Sequence, residues 1–478
     1  MSDAPRPFGA GGDEAAPSFT AEDLAEITGG TLLARSSRPI RGAAVDTRLV
    51  RPGELFVALP GERTDGHRFL AQAVDGGAAA LIVTEALPEA APPDDVTVVR
   101  VADGLAALQA LATAWRTRFR PIVVGITGSI AKTSTKEAVA GVLSGRYTTL
   151  RSEGNQNNEI GLPLSVLRLR PEHEAAVLEM GMYVGGEIRD LARIARPRIG
   201  VVTAVQPVHL SRIGSIEAVE QAKGELVEAL PREADGGVAV LNSDDPRVRR
   251  MSARTDARIL GYGFESGADV RADEVRSAGL SGMTFTLHLP DQAPVAATIP
   301  THGRLAVHNA LAAAAVGSAV GLDPDTITAG LARGWAAPHR SEIVRAGGVT
   351  IVDDSYNASP ASVMAALELL SGLSGRRIAV LGEMLELGAG AEAGHLAVGR
   401  AAAGTVALLV VVGHGATAIA DGATAAGLDP GAVVRVPDVD AATSELRARL
   451  RDGDVVLVKA SRGAALERIV DALREDAR

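Results

Sequence analysis

The chain has 478 residues, which at about 100–200 residues per domain is more than one ordinary core can hold. Hydrophobic residues make up 46% of it and charged residues 22%, values typical of a globular protein rather than a disordered one. The net charge of −10 argues against a nucleic-acid binder, because no basic surplus is available to neutralise phosphates. The absence of cysteine excludes disulfides, thiolate metal sites and cysteine nucleophiles, and fits a reducing compartment.

The N-terminal segment, residues 1–16, has no apolar core of the kind found in signal peptides and predicts a flexible tail. Two uncharged stretches, 305–322 and 401–420, are long enough to raise the question of a membrane span. Polar residues and glycines interrupt both, so a buried helix and a buried strand–turn–helix explain them better. We therefore expect no membrane span and a cytoplasmic protein.

Short buried strands alternate with helices along the chain, a pattern typical of α/β domains with doubly wound parallel sheets. We expect three such domains after the tail, at 17–118, 119–338 and 339–478. The alanine-rich helix that closes the second domain is expected to begin near Ala306. The expected strands lie near 122–124, 175–178 and 199–205 in the second domain and near 349–352, 378–381, 406–412 and 455–458 in the third.

A glycine-containing loop follows the strand at 122–124, and residues 125–136 read GITGSIAKTSTK before a predicted helix. Strand, loop, Lys-Thr and helix is the arrangement that surrounds phosphates with backbone amides and a helix N-terminus. Lys132 would neutralise the β- and γ-phosphates, and the Thr133 hydroxyl would bind Mg²⁺. Ala131 stands where such loops carry glycine, so its Cβ either crowds the phosphates or demands an unfavourable φ. The alternative is a tight strand–helix turn with incidental lysines. Further candidates for nucleotide contact in this segment are Gly125, Thr127, Gly128, Ser129 and Ser134.

Lysine is rare in this chain, with four lysines among 48 basic residues: Lys132, Lys136, Lys223 and Lys459. Lys223 falls on a helix predicted from its N-cap Ser215 to Leu230, within an apolar stripe opposite Glu217, Gly224, Glu225 and Glu228. A buried ammonium is costly unless it is paired, neutralised or chemically changed. A salt bridge, a snorkelling side chain and a carbamate formed with CO₂ are all open, and the carbamate would be an anionic metal ligand.

Two polar residues follow neighbouring predicted strands. Glu179 ends the strand at 175–178, and His209 lies in the loop after the strand at 199–205. Because the carboxyl ends of parallel strands open into one crevice, both could reach the same Mg²⁺ together with Thr133. Taken singly, Glu179 is better explained as a solvated strand-end charge and His209 as a loop histidine.

The third domain begins with a strand that runs into the polar turn Asp353-Asp354-Ser355-Tyr356-Asn357. Two carboxylates leaving a buried strand need a cation, a hydroxyl or a helix N-terminus to compensate them. The plain alternative is an Asx turn with a capping aspartate. Arg340, at the junction of the second and third domains, could reach a nucleotide held between them.

These constellations, in this order, resemble the Mur ligases, ATP-dependent amide-forming enzymes of bacterial cell-wall precursor synthesis. The resemblance covers the chain after the tail and is closest to the members that add D-alanyl-D-alanine. It implies a small N-terminal UDP-binding α/β domain, a central P-loop ATPase-like domain and a C-terminal Rossmann-like domain. The segments that carry it are 46–48, 65–67, 155–161 (NQNNEIG), 179–182 (EMGM), 222–225 (AKGE), 356–360 (YNASP) and 381–388 (LGEMLELG).

The resemblance implies a role for each matching residue. Lys132 and Thr133 would bind ATP phosphates and Mg²⁺, Glu179 and His209 would hold the metal, and Lys223 would be carbamylated. Asn309, Arg340 and Asp354 would contact the nucleotide. Thr47, Arg48, Asn157 and Asn158 would face the UDP precursor. The implied substrates are UDP-N-acetylmuramoyl-tripeptide, D-Ala-D-Ala and ATP, and the implied state is a monomer. Lys459 matches a family segment but receives no role.

The chain departs from the family pattern at several positions. Ala131 replaces a glycine, Ala204 an asparagine, Ser211 an acid and His339 a second glycine. Two other hypotheses stay open at this point. One is a polyglutamate ligase on the same scaffold, against which the UDP-domain and LGEMLELG segments argue. The other is a degenerate ligase that binds precursor or partner proteins without catalysis, for which Ala131 is the only support.

Overall fold

The computed structural model describes residues 17–61, 64–85, 95–207, 213–335 and 339–476. The chain divides into two compact units. The first comprises residues up to Arg120 together with Pro163–Glu174, and the second comprises Pro121–Leu162 and the chain from Ala175 onward. Within the described ranges, no helix combines the length and apolar character that crossing a membrane requires.

The first unit contains a five-stranded sheet in the order β1-β5-β4-β3-β2, in which only the β1–β5 pair is antiparallel. Thr20 and Asp23 form a capping box at the first helix, and Gly29 ends it in a left-handed conformation. Trp115 is fully buried, and its indole N–H donates to the Leu169 carbonyl at 3.1 Å. The elements are α1 (Ala21–Thr28), β1 (Thr31–Ala34), β2 (Ala43–Ala44), β3 (Leu55–Val57), α2 (Leu70–Asp75), β4 (Ala80–Val83), β5 (Thr97–Arg100) and α3 (Gly104–Thr117).

The second unit contains two sheets, and the first of them has nine strands. The elements along this part of the chain are β6 (Ile122–Thr127), α4 (Lys132–Leu143), β7 (Thr149–Arg151), α5 (Gly161–Leu167), β8 (Ala175–Glu179), α6 (Glu187–Ala195), β9 (Ile199–Val202), α7 (Ile216–Glu228), β10 (Val238–Asn242), α8 (Pro246–Arg250), β11 (Arg258–Gly263), β12 (Val270–Ser277), β13 (Met283–His288), β14 (Val295–Ile299), α9 (Arg304–Ala319) and α10 (Pro324–Ala332). Of these, α5 belongs to the first unit from Pro163 onward.

The strand order of this sheet is β14-β13-β12-β11-β10-β9-β6-β8-β7. The strands from β7 to β12 pair in parallel, and β13 and β14 add an antiparallel edge. The order reverses beside β6, because β9 lies on one side of it and β8 on the other. Ligands bind at such a switch point, outside the carboxyl ends of the strands. The apolar α9 packs with α4 in the core beside this sheet.

The other sheet of the second unit has six strands in the order β15-β16-β20-β17-β18-β19. Only the β15–β16 pair is antiparallel, and apolar side chains cover both faces. Its elements are β15 (Glu342–Ala346), β16 (Val349–Asp353), α11 (Pro360–Ser371), β17 (Arg377–Gly382), α12 (Ala391–Ala403), β18 (Leu408–Val412), α13 (Thr417–Ala425), β19 (Val433–Val436), α14 (Val439–Arg449), β20 (Val455–Lys459) and α15 (Glu467–Asp476).

The predicted α/β fold with three sheets is confirmed, and each predicted strand of the second and third domains exists. The strand expected over 199–205 is shorter, because β9 ends at Val202. Residues 203–206 instead form hydrogen bonds with the loop that follows β6. The stretch 305–322 forms most of α9, and 401–420 forms a helix end, β18 and a helix start, as expected. The three domain boundaries stay a prediction. Residues 163–174 belong to the first unit although they were expected in the second domain.

Candidate active site

The predicted phosphate loop lies between β6 and α4, at the carboxyl end of β6. Hydrogen bonds with residues 203 and 204 hold its backbone. The Ser129 amide donates to the Ala204 carbonyl at 2.8 Å, and the Thr203 hydroxyl donates to the Ile130 carbonyl at 2.6 Å. The loop is therefore held open between a strand end and a helix N-terminus, the geometry that favours an anion.

Two loop residues have left-handed backbones. Gly128 has φ +152°, and a Cβ there would lie 1.8 Å from Thr203 Oγ1, so only glycine fits. Ala131 has φ +65° and directly precedes α4, so the departure from glycine falls at a position where L-residues are strained. An alanine in this conformation costs about 1–2 kcal/mol relative to a right-handed one. The expectation of an unfavourable φ at Ala131 is thus confirmed.

A buried carboxylate lies at the centre of the site. The side chain of Glu179, at the end of β8, is 2% exposed. Its Oε2 accepts from the Thr133 hydroxyl at 2.9 Å, and its Oε1 accepts from Asn157 Nδ2 at 2.7 Å. Among the described residues it forms no ion pair, so its charge is compensated only by neutral donors and by the field of Lys132.

Lys132, at the first position of α4, turns back onto the loop, where its Nζ donates to the Gly128 carbonyl at 2.8 Å. Desolvation lowers the pKa of Lys132 below its usual value. The charge of Glu179 opposes this shift, and the charge of Arg340 adds to it. Lys132 is therefore close enough to both Glu179 and Arg340 for their charges to act on it.

Lys223 lies inside the core side of α7, as predicted, and only 2% of it is exposed. Ser215 caps the helix by accepting from the Ala218 amide at 3.2 Å, also as predicted. Within the described ranges Lys223 has no carboxylate partner, so a salt bridge from those residues and a solvent-reaching snorkel are both excluded. Desolvation lowers the pKa of Lys223 well below its usual value, and the nearby charge of Lys132 lowers it further.

The remaining candidates of the second domain take different positions. Gly125 lies within β6, where Leu226 and Met180 pack closely against it, so it has a packing role. The Thr127 hydroxyl is buried at the strand end with no hydrogen-bond partner among the described atoms. Ser134 lies in the first turn of α4. Asn309 on α9 is buried, and its Oδ1 accepts from the Thr135 hydroxyl at 3.1 Å. His209 and Ser211 lie outside the described residues.

The charges of the two aspartates after β16 are compensated by nearby polar and cationic groups, as expected from the sequence. Asp353 is buried, accepts from the Ser355 hydroxyl at 2.6 Å and lies 2.7 Å from His339 Nδ1. Asp354 accepts from Lys459 Nζ at 2.6 Å and from the Ser341 amide at 3.1 Å. Lys459, unassigned from the sequence, is the buried cation that balances Asp354.

The segment before β15, which leads into the six-stranded sheet, contacts this turn through a backbone hydrogen bond and a cation–ring contact. The Tyr356 amide donates to the His339 carbonyl at 3.1 Å, and the Arg340 guanidinium stacks 4.2 Å from the centre of the Tyr356 ring. His339 has φ +60°, the second position at which a family glycine is replaced in a left-handed conformation. Arg340 is thereby oriented by Tyr356, and its field reaches Lys132.

The candidate precursor contacts fall into two groups. In the first unit, Arg48 forms a two-pronged pair with Asp46, whose pKa is lowered by that hydrogen bond, and the Thr47 hydroxyl donates to Gln72 at 3.0 Å. In the second unit, Asn157 binds Glu179, and Asn158 Oδ1 accepts from the Gly161 amide at 2.9 Å. Their role in binding precursor stays a prediction.

Two charged residues of the site region were missed in the sequence. Glu225 was expected opposite the apolar stripe of α7, yet it is only 4% exposed, and it accepts from the Gly186 and Arg189 amides at the start of α6. Lys136 is completely buried beside the loop. The rarity of lysine was the available signal for Lys136, whereas Glu225 gave none, because helical periodicity placed it away from the apolar stripe.

The residues present fit Mg²⁺ and a nucleoside triphosphate. A buried carboxylate and a hydroxyl are hard oxygen ligands, and the carboxylate lacks a cationic partner in the described part of the chain. The loop leads into the N-terminus of α4, whose first-turn amides suit an anion, and the Thr127 hydroxyl beneath it has no partner among the described atoms.

Comparison with known proteins gives consistent matches along the chain. Three family models match: the Mur ligase family catalytic domain at residues 39–116, the Mur ligase middle domain at 126–317, and the Mur ligase glutamate ligase domain at 339–462. A UDP-N-acetylmuramoyl-tripeptide–D-alanyl-D-alanine ligase of Mycobacterium tuberculosis is 40% identical, over 96% of this chain and 98% of that protein. The corresponding ligase of Escherichia coli K12 is 38% identical, over 96% and 99%.

Matches to solved structures indicate the same family. A crystal structure of MurF from Acinetobacter baumannii matches with a TM-score of 0.85 and 30% identity, over 96% of this chain and 99% of that one. MurF ligase from Thermotoga maritima, solved in complex with ADP, matches with a TM-score of 0.79 and 28% identity, over 91% and 98%. The chain belongs to the Mur ligase family.

Proposed function

We propose that the protein is an ATP-dependent ligase that joins D-alanyl-D-alanine to the tripeptide carboxylate of UDP-N-acetylmuramoyl-tripeptide, releasing ADP and phosphate. The observation that carries this proposal is the Lys132–Thr133–Glu179 site at the end of β6, in a chain that is 40% identical to such a ligase over 96% of its length. The product would be the pentapeptide precursor of peptidoglycan. A monomeric, cytoplasmic enzyme remains the expectation.

The reaction has two steps. The terminal carboxylate of the tripeptide attacks the γ-phosphorus of ATP, ADP leaves, and an acyl phosphate forms. The amine of D-Ala-D-Ala then attacks the acyl carbon, loses a proton and displaces phosphate. No nucleophilic side chain is needed, which is consistent with a chain without cysteine.

The residues of the chain stabilise charge and fix geometry. Lys132 and the loop amides would face the phosphate oxygens, where negative charge develops during transfer. Thr133 and Glu179 would hold Mg²⁺, which when bound neutralises charge on the β- and γ-phosphate oxygens. Arg340, stacked on Tyr356, would add a cation from the third sheet. Because groups from two sheets contribute, we expect turnover to require their approach.

The finer proposal at Lys223 is a carbamate. Its amine is buried and lacks a carboxylate partner within the described ranges, and the neighbouring charge of Lys132 disfavours its ammonium form. An uncharged amine is the species that adds to CO₂, with loss of a proton, to give a carbamate anion. That anion would be balanced by Lys132 and by Mg²⁺, and it would turn a destabilising buried cation into a ligand. His209 would complete the metal site.

The experiment that tests the proposed function measures phosphate release and product mass with purified protein, ATP, Mg²⁺ and UDP-N-acetylmuramoyl-tripeptide, with and without D-Ala-D-Ala. We expect release only when the dipeptide is present, together with a product heavier by one dipeptide minus water. Tight binding of the UDP precursor without any turnover would instead support the degenerate ligase. Release with glutamate but not with the dipeptide would support a polyglutamate ligase.

A further inference from the structure

Lys136 is a buried lysine one helical turn beyond Lys132, and the reaction proposed above gives it no role. Its Nζ donates to the carbonyls of Ser152 at 2.6 Å and Gly154 at 3.2 Å, and lies 3.0 Å from Glu137 Oε1. An ammonium has three N–H donors, and each has an acceptor here. The side chain is therefore fixed, and it connects α4 to the chain that follows β7.

The segment that Lys136 holds is the loop 152–160, which is exposed at residues 153–155. At its far end, Asn157 donates to Glu179 Oε1 at 2.7 Å, and the Asn157 carbonyl accepts from the Gly181 amide at 2.8 Å. At its near end, Ser152 Oγ accepts from the Glu179 amide at 3.3 Å. Both ends of the loop thus contact the Glu179 region, and Lys136 holds the near end.

We propose that Lys136 is a positioning residue for Glu179. It holds the loop against α4, so that Thr133 from the helix and Asn157 from the loop bind the two oxygens of one carboxylate simultaneously. This inference rests on the proposed function, because it assigns Lys136 to the metal-binding carboxylate of that site. Residues that orient a metal ligand typically change metal affinity by about 10- to 100-fold when they are removed.

The test uses the full chain with Lys136→Met, which keeps the approximate shape and removes all three donors. Calorimetric titration with ADP is performed with and without Mg²⁺, and the Mg²⁺ concentration for half-maximal phosphate release is measured. We expect that concentration to rise about 10- to 100-fold. ADP affinity should fall in the presence of Mg²⁺ and stay within about twofold of wild type without it.

Two companion variants separate positioning from loss of stability. Arg333→Met removes a side-chain donor to the Gly141 carbonyl, 3.1 Å away near the other end of α4, and should leave the Mg²⁺ requirement unchanged. Lys136→Gln keeps a donor and is measured in parallel, so that a folded variant exists should Lys136→Met not fold. It should show a smaller shift of the same kind. Because the chain has no cysteine, Lys136→Cys can be alkylated selectively with 2-bromoethylamine while unfolded, and the refolded protein should regain the wild-type Mg²⁺ requirement.

An unchanged Mg²⁺ requirement in the Lys136 variants would overturn the inference, as would an equal loss of ADP affinity with and without Mg²⁺. In either case the wild-type protein would still make the amide, so the proposed function would stand. Failure of the wild-type protein to form the amide would instead refute the proposed function itself.

Discussion

Thr133 Oγ1 donates a hydrogen bond to Glu179 Oε2 across 2.9 Å. Thr133 belongs to the first turn of α4, the helix after the predicted phosphate loop, and Glu179 ends β8, the strand beside β6. This bond joins the two elements that, in the proposed function, would act together on Mg²⁺ and the phosphates. With Asn157 on the other oxygen, the carboxylate is oriented before any ligand arrives, as electrostatic preorganisation requires.

Replacing Ala131 by glycine should stabilise the protein. Ala131 has φ +65°, which glycine adopts without a Cβ penalty, so Ala131→Gly should raise the free energy of unfolding by about 1 kcal/mol. Urea unfolding measures this. The control is Ala329→Gly, an exposed alanine inside α10, which should instead lose about 1 kcal/mol. A destabilised Ala131→Gly protein would contradict the assigned backbone conformation.

Removing the Lys223 amine should greatly reduce turnover, and small carboxylic acids should restore part of it. If Lys223 carries a carbamate, Lys223→Ala should lose at least about 100-fold in turnover and recover part of it in acetate or a similar small acid. Gln221→Ala, exposed on the same helix, should behave as wild type. Wild-type protein in CO₂-depleted buffer should regain activity on addition of bicarbonate; indifference to bicarbonate would count against the carbamate.

Breaking the Lys459–Asp354 ion pair should lower the free energy of unfolding. The two side chains are 3% and 15% exposed and lie 2.6 Å apart. Lys459→Met therefore leaves a largely buried carboxylate that keeps, among the described residues, the Ser341 amide as its donor. The expected loss is about 3 kcal/mol in the free energy of unfolding. A double-mutant cycle with Asp354→Asn should give a coupling of about 1–3 kcal/mol. Additive losses would show that the pair does not act as a unit.

Protonation of Asp244 should contribute to the loss of folding stability in acid. Burial alone would raise its pKa, but hydrogen bonds from His308 and from the Phe264 and Glu265 amides outweigh burial and leave the pKa below its usual 3.8. A lowered folded-state pKa contributes stability above pH 3.8 that is lost as the pH falls through the folded value. Urea unfolding between pH 5 and pH 2.5 should show a shallower decline in the free energy of unfolding for Asp244→Asn, because that variant lacks the carboxylate that the unfolded chain protonates first. Equal slopes would contradict this prediction.

The parts predicted from the sequence were those in which local pattern and tertiary environment agree. The strands of the second and third sheets follow from apolar runs, and the strand–loop–helix of Lys132 follows from a motif whose order along the chain is its order in space. Helical periodicity correctly placed Lys223 within the apolar stripe of α7, and the snorkelling alternative that it left open is excluded by burial. Ala131 was recognised as a strained position for the same reason that glycine is usual there.

The contacts that the sequence could not predict join residues distant along the chain. Asn157 was expected at the precursor, yet its amide holds Glu179, 22 residues away. Glu225 is buried because α6 presents its N-terminal amides to it, and no periodicity within α7 contains that information. Lys459 and Asp354 are 105 positions apart, so their pairing depends on β20 lying beside β16.

The most direct test of the ligase mechanism follows an oxygen atom. The tripeptide carboxylate is labelled with ¹⁸O, the protein is supplied with ATP, Mg²⁺ and D-Ala-D-Ala, and the released phosphate is analysed by mass spectrometry. An acyl phosphate transfers one carboxylate oxygen to phosphorus, so each amide formed should release one phosphate carrying one label. Lys132→Met should reduce both products by about 10²–10³-fold. Amide formation with unlabelled phosphate would contradict the acyl-phosphate route, and phosphate release without amide would contradict the ligase.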